Sequence, residues 1–86
     1  MDKNIVVYGT HWCGDCRRAR RFLDENNVQY TFINIDEDKG AEQFVVKANR
    51  GFRSVPTIVF PDDSILVEPS TKQLAEKLEI RITTLY

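Results

Sequence analysis

The sequence predicts an α/β fold in which the elements follow one another as βαβαββα, with a central four-stranded mixed sheet flanked by three helices. Short β-branched runs alternate with segments of helical periodicity, which is typical of a parallel βαβ unit with a right-handed crossover. Two later apolar runs are separated by Pro61, Asp62 and Asp63, the composition of a hairpin turn. With 86 residues and no linker or repeat, the chain is expected to form a single domain over residues 1–86.

The first half of the chain predicts a strand, a helix and a second strand. NIVVY, from Asn4 to Tyr8, is a short β-branched run that stops at Gly9, as a buried strand does. CGDCRRARRFLDENN then repeats its apolar residues at helical spacing. VQYTFINID is the next strand, and its apolar residues on both faces allow burial on both sides.

The second half predicts a helix, a hairpin and a closing helix. KGAEQFVVKANR has one apolar helical face and reaches a natural stop at Gly51. TIVF and SILV are the two antiparallel strands of the hairpin. STKQLAEKLEI is the closing helix, with Ser70 and Thr71 as candidate N-caps. The apolar face of the KGAEQFVVKANR helix consists of Ala41, Phe44, Val45 and Ala48.

Composition and charge exclude several classes of function. The chain is 42% hydrophobic and 29% charged, and no apolar run approaches the roughly 20 residues of a membrane helix. Its formal net charge of -1 argues against a nucleic-acid-binding protein, because such proteins usually carry a basic excess. The N-terminal MDKNIVVYGT has neither the apolar region nor the cleavage site of a signal peptide, so we expect a cytoplasmic protein.

Cys13 and Cys16 are the only cysteines of the chain, and their spacing permits three interpretations. A structural disulfide would close so small a loop that it would gain little from chain entropy. A structural zinc ion needs four ligands, whereas the chain adds a single histidine, His11, so two copies would have to share the site. A redox-active pair fits best, because here C-x-x-C follows a strand and opens a helix within a βαβ pattern.

The two cysteines are expected to have different roles. Cys13 falls at the turn between strand and helix, where unpaired N–H groups favour a thiolate, so it is the predicted nucleophile. Cys16 lies one turn later toward the apolar face, where its thiol should stay protonated until it attacks a mixed disulfide on Cys13. The charge of Arg17 is expected to favour the Cys13 thiolate, and that of Asp15 to oppose it.

Three stretches resemble the glutaredoxin family, which has the thioredoxin fold, and are most similar to its mycoredoxin-like branch: VVYGTHWCGDC, NRGFRSVPTIVF and SILVEPSTKQLAEKL. The resemblance spans nearly the whole chain and implies a thiol-disulfide oxidoreductase in which Cys13 attacks and Cys16 resolves. It also implies that Val55 and Pro56 form a cis-proline loop beside the cysteines, where the Val55 backbone can pair with a substrate peptide.

Two further residues are candidate substrate contacts. Trp12 directly precedes the nucleophile in an exposed turn and is expected to be a contact platform. Arg53 stands three residues before Pro56, where it could meet a substrate carboxylate. The other arginines of the RRARR run are expected to form a solvated helix face.

The resemblance implies a small thiol as co-substrate, oxidised client proteins as partners, and no cofactor besides the Cys13–Cys16 redox-active disulfide. A monomer is expected. Gly14 and Asp15 stand where glutaredoxins usually have Pro-Tyr, and VEPSTK replaces their Gly-Gly-x-Asp motif, so mycothiol is a candidate beside glutathione. Two alternatives stay open: a thioredoxin-like reductase recycled by a flavoprotein, and a glutaredoxin that binds an iron–sulfur cluster between two copies.

Overall fold

Residues 4–81, the part of the chain that the structure describes, form four strands and three helices. The structure is a computed structural model. The elements are β1 (Ile5–Gly9), α1 (Gly14–Glu25), β2 (Tyr30–Asn34), α2 (Lys39–Ala48), β3 (Thr57–Val59), β4 (Ile65–Val67) and α3 (Thr71–Lys77). The predicted order βαβαββα is therefore confirmed. Residues 1–3, at the start of the segment compared with signal peptides, lie outside the described residues.

The four strands form one mixed sheet, as predicted, and their order across it is β2-β1-β3-β4. β1 runs parallel to β2 and antiparallel to β3, and β3 and β4 form the antiparallel hairpin. Val7 of β1 lies opposite Phe32 on one side and Ile58 on the other, and both Val7 and Ile58 are fully buried. Because β1 is central, the turn after Gly9 emerges at the middle of the sheet edge, and this turn carries the cysteines.

Helices cover both faces of the central strand, because successive side chains of a strand point to opposite sides. On one face Val7 packs in a core cluster with residues of α1 and α3, and these two helices contact each other. On the opposite face Tyr8 packs against a second cluster, to which α2 contributes. The sheet therefore lies between α1 and α3 on one side and α2 on the other.

Each helix begins at a side chain that accepts a hydrogen bond from the first turn. Cys13 caps α1, Asp38 caps α2, and Ser70 caps α3 in a capping box with Gln73. Of the two candidate caps for α3, Ser70 is therefore the N-cap and Thr71 is the first helical residue. The longest helix, α1, has 12 residues, and within residues 4–81 no helix is long and apolar enough to cross a membrane.

Burial of β2 and the end of α2 differ from the expectation. β2 is an edge strand beside β1, so Thr31 is exposed and the other residues of β2 are only half-buried. Helix α2 ends at Ala48, and Gly51 lies in the turn beyond it with a φ of 101°. Phe44, expected on the apolar face of α2, is 38% exposed, and its ring lies against the ring of Tyr8 at a centroid distance of 4.8 Å.

Candidate active site

Cys13 is the N-cap of α1 and lies directly after the turn that follows β1. Its Sγ accepts a hydrogen bond from the backbone N–H of Cys16 at 3.4 Å, and the side chain is half-buried. The first N–H groups of a helix have no partner within the helix and carry partial positive charge. The expected position of Cys13 at a helix N-terminus is therefore confirmed, with its sulfur next to these N–H groups.

Cys16 lies one turn into α1 and is fully buried. Burial raises the pKa of its thiol to about 12, because an apolar environment disfavours the thiolate; a backbone hydrogen bond from Thr10 opposes this rise. The proximity of Cys13 and Asp15 raises the pKa further. The structure thus agrees with the expectation that Cys16 stays protonated at neutral pH, while Cys13 reaches solvent.

Gly9, the last residue of β1, provides the space for the Cys16 side chain. A methyl group on Gly9 would lie 2.7 Å from Cys16 Sγ and 3.2 Å from Cε1 of Phe32. Both distances are shorter than a relaxed contact between buried atoms. Gly9 was expected only to end the strand, but its lack of a side chain also leaves the space that the buried Cys16 side chain occupies.

Gly9→Ala is expected to destabilise the fold by about 1–3 kcal/mol, because the buried Cys16 sulfur has no room to move away. Urea unfolding followed by circular dichroism measures the loss. The matched control is Gly14→Ala, since no atom lies within 4 Å of the methyl group that it adds. Alanine also favours a helix over glycine, so this control should be neutral or slightly stabilising. Equal losses in both variants would contradict this account of Gly9.

The raised pKa of Cys16 predicts that stability decreases at alkaline pH. Above the ordinary thiol pKa of 9.0 the unfolded chain releases the Cys16 proton, whereas the folded chain retains it up to about pH 12. Each pH unit in this range therefore lowers the free energy of unfolding by up to about 1.4 kcal/mol. The measurement compares wild type with Cys16→Ala in urea at pH 8 and pH 10. If the difference in free energy of unfolding between wild type and Cys16→Ala were the same at both pH values, this prediction would be wrong.

The loop before β3 lies against the nucleophile. The Val55–Pro56 peptide bond is cis, as the resemblance implied. The Cys13 thiol points to the backbone carbonyl of Val55 at 3.9 Å, and the next residue, Pro56, is fully buried. The expected proximity of Val55 to Cys13 is thus observed, whereas contact of Val55 and Pro56 with a substrate stays a prediction.

Trp12 and Arg53 are joined by the carboxylate of Asp36, which the sequence did not identify as a site residue. Trp12 is 66% exposed, and its indole N–H donates to Oδ2 of Asp36 at 2.8 Å. Arg53 donates from Nη2 to the other oxygen of Asp36 at 2.7 Å and from Nε to Glu42 at 2.6 Å. Hydrogen bonds from Arg53 and Trp12 hold the pKa of Asp36 below its ordinary value. Arg53 therefore lies at the rim of the site with two carboxylate partners already in place.

The two residues expected to tune Cys13 lie on α1. The carboxylate of Asp15 forms an ion pair with Arg18 at 3.0 Å, so its negative charge is partly balanced. Arg17 is exposed, and its backbone N–H donates to the carbonyl of Cys13 at 3.1 Å. The effect of Asp15 and Arg17 on the Cys13 thiolate stays a prediction.

The arrangement fits a reactive dithiol. Cys13 and Cys16 are free thiols one helical turn apart, with one sulfur accessible and the other buried. Among residues 4–81 no three side chains of His, Cys, Asp or Glu are grouped so that they could hold a metal ion. The geometry therefore permits attack by Cys13 on a disulfide, followed by attack of Cys16 on the product.

Comparisons with known proteins identify the glutaredoxin family. A family model described as Glutaredoxin matches residues 5–65. A protein of Mycobacterium tuberculosis (strain H37Rv) assigned as a glutaredoxin is 38% identical over 74 residues, covering 86% of this chain and 88% of that protein. Mycoredoxin 1 of Corynebacterium glutamicum is 33% identical over 76 residues, covering 88% and 94%. The crystal structure of a glutaredoxin from Archaeoglobus fulgidus superposes with a TM-score of 0.72 at 26% identity, covering 91% of this chain and 87% of that one.

Proposed function

This chain belongs to the glutaredoxin family, and we propose that it reduces mixed disulfides between proteins and a small thiol, with Cys13 as nucleophile and Cys16 as resolving thiol. One observation carries the proposal. The accessible Cys13 sulfur caps α1, while Cys16 lies fully buried one turn away with its pKa raised to about 12. Two equivalent thiols would compete for the substrate. In this pair only the Cys13 sulfur is accessible for the first attack, and the Cys16 sulfur is buried and protonated.

The first step is a thiol-disulfide exchange. The Cys13 thiolate attacks the sulfur of the small thiol in the mixed disulfide, a new disulfide forms between Cys13 and the small thiol, and the client protein leaves as a thiolate that takes a proton from water. In the second step a thiolate of free small thiol attacks the small-thiol sulfur on Cys13. This exchange releases the oxidised small-thiol dimer and regenerates the Cys13 thiolate. In total, one free small thiol is consumed for each client thiol released, and the dimer contains this thiol and the one that had been bound to the client. Cys16 acts as the resolving thiol when a client protein is attached to Cys13: it attacks the Cys13 sulfur, the client leaves as a thiolate, and two small thiols then reduce the Cys13–Cys16 disulfide.

The proposed partners are oxidised client proteins and a small thiol, mycothiol or glutathione. Mycothiol is included because a mycoredoxin is among the relatives and VEPSTK stands in place of the glutathione-associated motif. Trp12 and the Val55 backbone are the proposed contacts for the client segment next to its disulfide. We propose that the protein acts as a monomer in the reducing cytoplasm, with no metal or organic cofactor.

A second candidate function is a thioredoxin-like reductase of protein disulfides recycled by a flavoprotein. The observation that favours it is the buried thiol of Cys16, whose backbone N–H already contacts Cys13 Sγ at 3.4 Å. In this route Cys16 attacks the Cys13 sulfur of the adduct between Cys13 and the client. The client is released as a dithiol, and a Cys13–Cys16 disulfide remains. That disulfide then needs two electrons from the flavoprotein.

One comparison of reductants tests the proposal. A peptide carrying glutathione on its single cysteine is incubated with the protein and, in parallel, with glutathione, with mycothiol, or with thioredoxin reductase and NADPH. We expect release of the peptide with a small thiol as reductant and little release with the flavoprotein. Turnover with the flavoprotein alone would overturn the proposal in favour of the second candidate.

A further inference from the structure

Two hydrogen bonds to Asp36 link the turn before Cys13 to the cis-proline loop. Trp12 donates to one oxygen of Asp36, and Arg53 donates to the other at 2.7 Å. Trp12 is adjacent to Cys13, and Arg53 is two residues before Val55, whose carbonyl is 3.9 Å from Cys13 Sγ. The network therefore connects the residue next to the nucleophile with the loop whose Val55 carbonyl lies against the nucleophile.

The network carries excess negative charge. Asp36 and Glu42 contribute two carboxylates, whereas Arg53 contributes one guanidinium. The side chains are only partly exposed, at 42% for Arg53, 38% for Asp36 and 36% for Glu42. A carboxylate on an incoming thiol could bind Arg53 only by displacing Glu42 from it. Otherwise the carboxylate would approach a network that already carries one uncompensated negative charge, and both are unfavourable.

The two carboxylates have different roles. Asp36 holds both Trp12 and Arg53, so its removal would disconnect the two sides of the rim. Glu42, in the first turn of α2, contacts Arg53 through Nε and can be removed without breaking the Trp12–Asp36–Arg53 connection. Glu42 is thus the position at which the charge of the rim can be changed while its geometry is kept.

We propose that the Asp36–Arg53–Glu42 network makes the site select small thiols that carry no carboxylate, with Glu42 as the specificity-determining residue. The inference rests on the proposed function and narrows it. Of the two candidate thiols, glutathione carries two carboxylates and mycothiol carries none, so the network favours a neutral sugar thiol. Arg53 was first expected to bind a substrate carboxylate. In this proposal it is instead a positioning residue, whose guanidinium is bound by Glu42 and Asp36.

The test measures the first exchange with two mixed disulfides of one peptide, one with glutathione and one with the neutral thiol 2-mercaptoethanol. Rate constants are determined for wild type, Glu42→Gln and Glu25→Gln. The last variant is the matched control, because it removes the same charge from an exposed pair with Arg21 at the end of α1. A glutamine at position 42 should leave Arg53 free to receive a carboxylate.

We expect Glu42→Gln to raise the ratio of the glutathione rate to the neutral rate by about threefold, with Glu25→Gln unchanged. The higher ratio should come from a lower KM for the glutathione mixed disulfide, with kcat unchanged. Because salt screens the charges, the effect should be smaller at high salt. An unchanged ratio in Glu42→Gln, or an equal rise in Glu25→Gln, would overturn the inference while leaving the proposed function intact. A wild-type protein that exchanges with neither mixed disulfide would overturn the proposed function and the inference with it.

Discussion

Cys13→Ser is expected to abolish reduction of every disulfide substrate, with a loss of at least about a thousandfold in kcat/KM. A serine hydroxyl stays protonated at neutral pH and is a far weaker nucleophile toward sulfur than a thiolate. The remaining thiol, Cys16, cannot replace Cys13, because it is fully buried and its pKa is raised to about 12. The measurement is release of the peptide from its glutathione mixed disulfide under saturating small thiol.

The control for this variant is its stability, since Cys13 also caps α1. Serine is among the preferred N-cap residues, so Cys13→Ser should retain the helix start and unfold at a urea concentration close to that of wild type. Loss of activity with retained stability then reports the chemistry of the sulfur. Substantial residual turnover by Cys13→Ser would show that another group makes the first attack.

Cys16→Ser is expected to separate two classes of substrate. Release of a small thiol from Cys13 by a second small thiol does not involve Cys16, so turnover of small-thiol mixed disulfides should stay within about threefold of wild type. Reduction of an intramolecular protein disulfide needs Cys16 to release the client, so this activity should fall at least about a hundredfold. Parallel assays with the glutathione mixed disulfide and with insulin measure the two effects.

A buried hydroxyl at position 16 introduces a polar group into a fully enclosed site, which can cost about 1–3 kcal/mol. Cys16→Ala is therefore the matched control, because it removes the thiol without adding a hydroxyl. Both variants should give the same separation of substrates, although they differ in stability. An equal loss of both activities in the two variants would place the protein with the thioredoxin-like reductases.

The positions of the cysteines could be predicted because local signals determine them. A β-branched run that ends at Gly9 and a helical repeat that starts at Cys16 leave Cys13 at a helix N-terminus in any βαβ unit. The cis-proline loop at Val55 and Pro56 was predicted from the family resemblance alone. The spacing itself would equally have suited a trans proline at the start of a strand.

The rim network could not be predicted, because its members are brought together only by the tertiary fold. Asp36 and Glu42 lie 17 and 11 residues before Arg53, in a turn and in α2, and nothing in the local sequence pairs either of them with Arg53. Their contacts depend on how α2 packs on the sheet. For the same reason the sequence did not indicate that β2 is an edge strand, since strand order is set by pairing between distant segments.

The central claim is that Cys13 attacks the small-thiol sulfur of a mixed disulfide, and the mass of the trapped intermediate tests it most directly. Cys16→Ser is mixed with the peptide that carries glutathione, without any free thiol. Mass spectrometry of the intact protein then gives the mass of the adduct, and mass spectrometry after proteolytic digestion gives its position in the chain. The account predicts an adduct on Cys13 that has the mass of glutathione, together with an equal amount of free peptide. An adduct that has the mass of the peptide, or no adduct on Cys13, would contradict it.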